Sequence, residues 1–210
     1  MQLIDISPLI SEKTAVFPGD KPFERTCSLS FSEGHHLALS SISSTLHIGV
    51  HADAPNHYHP DGCSISERSL HFYYGTCQVI TIPNLAPEER ILPKHLQGIK
   101  PDAPRILLKT NSFPCPEKWV HSFNSLSPEL VDFLADQGVI LIGIDTPSVD
   151  PAPAKVLISH LQIFRRDLAI LEGLVLDGVE DGFYTLSAFP LKINGADASP
   201  VRAVLIKDEI

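Results

Sequence analysis

Cysteine is sparse in this sequence and never paired. Cys27, Cys63, Cys77 and Cys115 are scattered, with no Cys-x-x-Cys among them. That spacing excludes a zinc ribbon or a thioredoxin-type redox motif, and the expectation is four buried free thiols. Basic residues are also few, with 16 Lys and Arg against 25 Asp and Glu and a formal net charge of -9. A nucleic-acid footprint needs clustered cationic side chains, and Arg165-Arg166 is too little, so no nucleic-acid partner is expected. Acidity of this size serves solubility and names no partner. Long hydrophobic runs are missing as well: no stretch of about 18 predominantly apolar residues is present, which argues against a membrane helix. The opening residues MQLIDISPLISEKTAVFPGD lack the basic and apolar regions of a signal peptide, so a cytoplasmic location and no membrane partner are expected. No serine or cysteine stands in a recognisable nucleophile motif.

Repeats, low-complexity tracts and linkers are absent too. The expectation is therefore a single domain spanning residues 1–210, which at 23.0 kDa buries most of its unfolded surface without a metal or disulfide. Short β-branched runs bounded by turn residues predict strands at 3–6, 37–48, 77–82, 106–109, 139–144, 174–176, 184–191 and 201–206. A helix is predicted to start with Ser127 as N-cap and Pro128 at its first position, and to stop at Gly138. A second is predicted from about Ser159 through HLQIFRRDLA, where Leu161, Phe164 and Leu168 recur at helical spacing. Strands outnumber helices, so the expected class is α/β, with a mixed, partly barrel-like central sheet and a few outer helices.

What the sequence has in excess is proline, with 18 residues, and histidine, with 10. Much of the proline falls in loops, while four histidines crowd into LHIGVHADAPNHYH. His47, His51, Asp53 and His57 share one parity, but on a straight strand at about 3.3 Å per residue His47 and His51 would lie roughly 13 Å apart, too far for one ion. The chain must curl for them to meet. Gly49 permits the bend, and Pro55 ends any regular ladder. Two imidazoles and a carboxylate suit Zn²⁺, Mn²⁺ or Fe²⁺, and three protein ligands leave positions open for water, as in catalytic sites. The competing reading is a set of loop histidines that stabilise a turn. Asp145-Thr146-Pro147, after the strand predicted at 139–144, is equally consistent with a ligand contact and with ordinary turn chemistry.

The run His47-Ile48-Gly49-Val50-His51-Ala52-Asp53-Ala54-Pro55-Asn56-His57 follows the pattern His-x-Gly-x-His-x-Asp-x-Pro-x-His. It resembles the signature of the cyclase-like metal-dependent hydrolases. FPGD at 17–20, GIDTPSVDP at 143–151, DLAILEGLVLDGV at 167–179 and LKINGADASPVRAVL at 191–205 are similar to the bacterial arylformamidase branch of that family. The resemblance implies a cyclase-like fold of the swivelling β/β/α type, and a binuclear site that is usually zinc, with Mn²⁺ as an alternative. It implies that His47, His51 and Asp53 hold one ion, and that Asp53, His160 and Glu172 hold the other. His57 matches the histidine that handles the proton, and Phe17 matches the aromatic residue lining the substrate pocket, where arylformamidases carry Trp. The implied substrate is N-formyl-L-kynurenine, cleaved to L-kynurenine and formate in tryptophan degradation, and the implied assembly is a homodimer or higher homo-oligomer. Two rivals remain: a related hydrolase that opens a cyclic amide such as isatin, and a non-catalytic metal-binding protein with a closed ligand shell. Spacing alone does not select His160 or Glu172. They are 12 residues apart, about 18 Å along a continuous helix, so the chain must turn back between them.

Overall fold

The apolar runs become strands in the computed structural model, which describes residues 1–96 and 98–207. Among the described residues the strands are β1 (Gln2–Asp5), β2 (Glu24–Leu29), β3 (Leu39–Ser43), β4 (His51–Asp53), β5 (Tyr74–Thr81), β6 (Arg90–Ile91), β7 (Arg105–Lys109), β8 (Ser125–Leu126), β9 (Leu141–Ile144), β10 (Ala169–Glu172), β11 (Gly182–Ser187), β12 (Ala198–Pro200) and β13 (Val204–Lys207). The helices are α1 (Pro55–Tyr58), α2 (Pro128–Asp136) and α3 (Ile158–Arg165), and short 3-10 turns lie at Phe31–Glu33, Ile65–Glu67, Leu70–Tyr73 and Pro93–Leu96.

Nine strands form one curled, half-barrel sheet in the order β1-β13-β11-β5-β7-β9-β10-β4-β12. Its centre, β5-β7-β9-β10, is parallel, and antiparallel strands complete it on both sides. Central strands covered on both faces must be apolar at every position, and β9 (Leu-Ile-Gly-Ile) is buried throughout. Alternate side chains feed two cores. Leu107, Leu141 and Leu171 enter one core with Val50 and Ala52, whereas Ile106, Leu108, Ile142 and Ile170 meet Leu130, Leu134 and Ile163 from the helices.

Helix α2 starts as its sequence predicts, with Ser127 Oγ accepting from Leu130 N at 3.1 Å and Pro128 in the first turn. It ends where Gly138 adopts φ 85° and Val139 N reaches back to Leu134 O at 3.2 Å. Helix α3 is shorter than predicted. Asp167 enters the left-handed region at φ 50°, and Asp167 N→Phe164 O and Leu168 N→Ile163 O, both 3.1 Å, close a Schellman motif. Leu168 and Ala169, which the helical spacing includes, therefore lie in the turn and in strand β10. The predicted strand at 174–176 is irregular chain, and the strand precedes it at Ala169–Glu172. The run 37–48 also divides. Only Leu39–Ser43 is extended, in a separate β2-β3 hairpin, and the chain bends after Thr45. All four thiols are free, but only Cys77 is buried. Cys63 is half-buried, while Cys27 on the hairpin and Cys115 on a loop are exposed, because neither segment packs under the sheet.

Candidate metal centre and its cavity

Gly49 adopts φ 59° in the bend that precedes β4, which turns the peptide so that His47 comes back over the strand. His47 Nδ1 then lies 3.0 Å from Asp53 Oδ1, and His51 Nε2 lies 3.6 Å from the same oxygen. Strand β10 runs antiparallel to β4 with Glu172 opposite His51, which places Glu172 Oε2 3.2 Å from His51 Nε2. From α3, His160 Nε2 reaches to 3.3 Å of Asp53 Oδ2 and 3.6 Å of Glu172 Oε1. The reversal between His160 and Glu172 required for their meeting is the Schellman turn followed by β10. Two glycines let the segments touch: a Cβ on Gly173 would lie 2.3 Å from the carbonyl oxygen of Gly49.

Five side chains expected as ligands, His47, His51, Asp53, His160 and Glu172, thus converge, with Asp53 between the others. Asp53 is buried, and neither of its oxygens, nor His51 Nε2, has a hydrogen-bond partner. Buried polar atoms normally find partners; an imidazole nitrogen and carboxylate oxygens left without one, beside further imidazoles, fit a divalent cation. The tautomer of His51 is set for this, because its Nδ1 lies 3.1 Å from the Gly49 carbonyl and donates there, which leaves Nε2 with its lone pair.

The charge balance points the same way. Burial works against a charged His47, but Asp53 and Asp197 beside it prevail and raise its pKa to about 9. At His160 burial is likewise outweighed, by Asp150 and Asp53, and the pKa rises to about 10. Burial opposes the Asp53 carboxylate, yet His160 and His47 hold its pKa well below the usual range. The carboxylates of the cluster thus favour the charged form of both histidines. His57, on α1, behaves oppositely: burial comes first and, with the charges of His47 and His160, lowers its pKa below 6.5 against the pull of Asp53 and Glu172. Its ring packs on His47 with centroids 4.2 Å apart.

The cluster opens into a cavity of about 580 Å³ lined by His47, His57, His160 and Glu172 at one end, a size suited to a small organic substrate. Phe17, Phe113 and Trp119 line it as well. Phe17 stands in a tight turn closed by Asp20 N→Phe17 O at 2.9 Å, and its ring meets Trp119 edge-on at 5.2 Å. Among the described residues the lining includes no lysine or arginine. Asp145 also lines the cavity, but its carboxylate accepts from Thr110 N, Thr110 Oγ1 and Asn111 N at 2.7–2.8 Å, so it fastens the loop after β7. Of the histidines outside the cluster, His35 and His36 are exposed, whereas His59 is half-buried and stacks on Phe164 at 3.8 Å.

Three contributors escape the sequence reading. Trp119 carries no motif, although it is the chain's single tryptophan. Asp197 places Oδ2 3.0 Å from His47 Nε2 and 3.7 Å from His57 Nδ1. Asp150 lies 2.9 Å from His160 Nδ1. Both aspartates stand within the segments GIDTPSVDP and LKINGADASPVRAVL, which mark a region without marking a role.

A curled mixed sheet with a His/Asp/Glu cluster at the end of an aromatic-walled cavity defines a class, and comparison with known proteins identifies it. The chain matches the Cyclase family model, described as "Putative cyclase", over residues 4–151, and it belongs to that family. It is 45% identical over 205 residues to the kynurenine formamidase of Bordetella avium, with 97% of each chain covered. A solved structure described as a potential metal-dependent hydrolase with cyclase activity superposes with a TM-score of 0.84 at 25% identity, covering 100% of this chain and 99% of the other. Isatin hydrolase A from Labrenzia aggregata shares the fold, with a TM-score of 0.82 at 21% identity and 99% and 94% of the two chains covered. Among the described residues, no helix is long and apolar enough to cross a membrane.

Proposed function

We propose that this protein is an arylformamidase that hydrolyses N-formyl-L-kynurenine to L-kynurenine and formate. In this reading the 210-residue chain acts as a single domain, in the cytoplasm and as a homodimer or higher homo-oligomer. It holds two divalent ions, Zn²⁺ with Mn²⁺ as the alternative. The observation that carries it is the convergence of His47, His51, Asp53, His160 and Glu172, with buried unpartnered atoms on His51 and Asp53, at an aromatic-lined cavity. The resemblance to the Bordetella avium enzyme supplies the substrate.

Ions held by His47, His51, Asp53, His160 and Glu172 would supply activated water at neutral pH and polarise a carbonyl oxygen. The chain supplies the rest. Asp53 faces His47 and His51 with one oxygen and His160 with the other, so it joins the two halves of the ligand set. His57, neutral at pH 7 because burial lowers its pKa, accepts a proton from the attacking water and returns one to the departing aryl amine. The formyl C–N bond breaks, the oxygen of water ends on formate, and the amine leaves neutral. Phe17 and Trp119, edge-on to one another, give the cavity an apolar wall for the aryl ring. The open cavity distinguishes the site from a closed storage shell.

The direct test is purified protein assayed on N-formyl-L-kynurenine, with formate and metal content measured on one sample. Formate release supports the reading. Ring opening of isatin without formate release selects the cyclic-amide hydrolase, and bound metal with neither activity selects the non-catalytic protein.

A further inference from the structure

Asp150 is a fully buried carboxylate between β9 and α3 that makes no contact with the cavity and belongs to no ligand set. Every partner it has is a donor. Oδ2 accepts from Ser159 N at 3.0 Å, His160 N at 3.1 Å and His160 Nδ1 at 2.9 Å. Oδ1 accepts from Arg90 Nη2 at 2.9 Å and from Ser159 N at 3.2 Å. The guanidinium is itself anchored, donating to Ser159 Oγ and to the Leu126 carbonyl. The neighbouring residue grips the other ligand: Val149 N donates to Glu172 Oε1 at 2.7 Å. One dipeptide, Val149-Asp150, therefore touches both His160 and Glu172 from the side away from the cavity.

We propose that Asp150, locked by Arg90, is the positioning residue for the half of the site built on His160. It keeps the proton on His160 Nδ1, so that Nε2 offers its lone pair toward Asp53 and Glu172. The inference rests on the reading of His160 and Glu172 as ligands. An imidazole ligand bound through one nitrogen needs a fixed donor role at the other, and losing such a carboxylate partner costs about 10–100-fold in metal affinity. Asparagine cannot substitute. Both oxygens of Asp150 face donors, so an amide nitrogen must oppose either Arg90 or the His160 edge. The neutral amide also gives up the charge-assisted bond.

The test is zinc binding to whole protein in a metal-buffered titration, with cobalt substitution as a spectroscopic signature of each site. Asp150→Asn should weaken one of two ions by about 10–100-fold, leave the other unchanged and alter one set of cobalt bands. Arg90→Met should act in the same direction by a smaller factor, and His160→Ala should abolish the same ion. Wild-type affinity for both ions in folded Asp150→Asn, while His160→Ala loses one, overturns this inference and leaves the ligand reading intact. Retention of both ions in His160→Ala overturns the ligand reading and the inference with it. If Asp150→Asn does not fold, Arg90→Met decides: a weakened single ion supports the lock, and unchanged binding of both overturns it.

Discussion

His57 and its neighbours His47 and His160 are pushed in opposite directions by their surroundings, as the proposed division between proton handling and ion binding requires. Neighbouring carboxylates raise the pKa of His47 to about 9 and of His160 to about 10, so ion binding through these imidazoles at pH 7 has to displace protons. Ion uptake at pH 7 should release about two protons. Affinity should rise with pH until these histidines are deprotonated, and a weakly buffered titration with a pH indicator measures both. Uptake without proton release would contradict the assignment. His57 works as a base only when neutral, so kcat/KM should fall as pH drops through its pKa, which lies below 6.5. His57→Ala should keep both ions and lose about 10²–10⁴-fold in turnover. Trp119→Ala, which removes the ring against Phe17, should raise KM several-fold at unchanged metal content, about 1 kcal/mol of aromatic contact. Legibility at this scale follows sequence distance. His47, His51 and Asp53 are readable because one short bend joins them. His160 and Glu172 are readable only by resemblance, and Asp150 and Asp197 not at all, since they act on residues 10 and 150 positions away through folded contacts.

At the scale of elements, the centre depends on how closely the bend at Gly49 approaches the end of β10. Gly173 combines φ 71° with a backbone oxygen where its Cβ would stand, so no side chain fits without moving the His51 and Glu172 segments apart. Gly173→Ala should cost about 1–3 kcal/mol of stability and weaken ion binding together with it. Gly138→Ala is the control: it also has positive φ, at 85°, but open space around it, so it should lose stability without changing affinity for metal. Thermal unfolding with and without ions separates the two. The start of α2 was readable because Ser127 and Pro128 act locally. The end of α3 was not, because its terminator is an aspartate in the left-handed region rather than a glycine. The apolar residues after it continue the helical spacing while belonging to a strand.

At the scale of the molecule, the class of fold is written in short, doubly apolar runs, and the order of strands is not. β1 pairs with β13 at one edge of the sheet, and at the other β4 lies between β10 and β12, so the site strand is flanked by segments more than 100 residues further along the chain. No local pattern encodes that pairing. The sheet carries the His51-Asp53 strand beside Glu172, α3 supplies His160, and the loops bearing Phe17 and Trp119 line the cavity. These parts are useful only together, and the assembled site makes one chemical claim. The most direct measurement is formate and L-kynurenine produced from N-formyl-L-kynurenine by purified protein, before chelation, after it and after Zn²⁺ or Mn²⁺ is restored. The expected result is equal amounts of both products, lost on ion removal and regained on addition; a folded, metal-loaded protein that releases no formate contradicts the account.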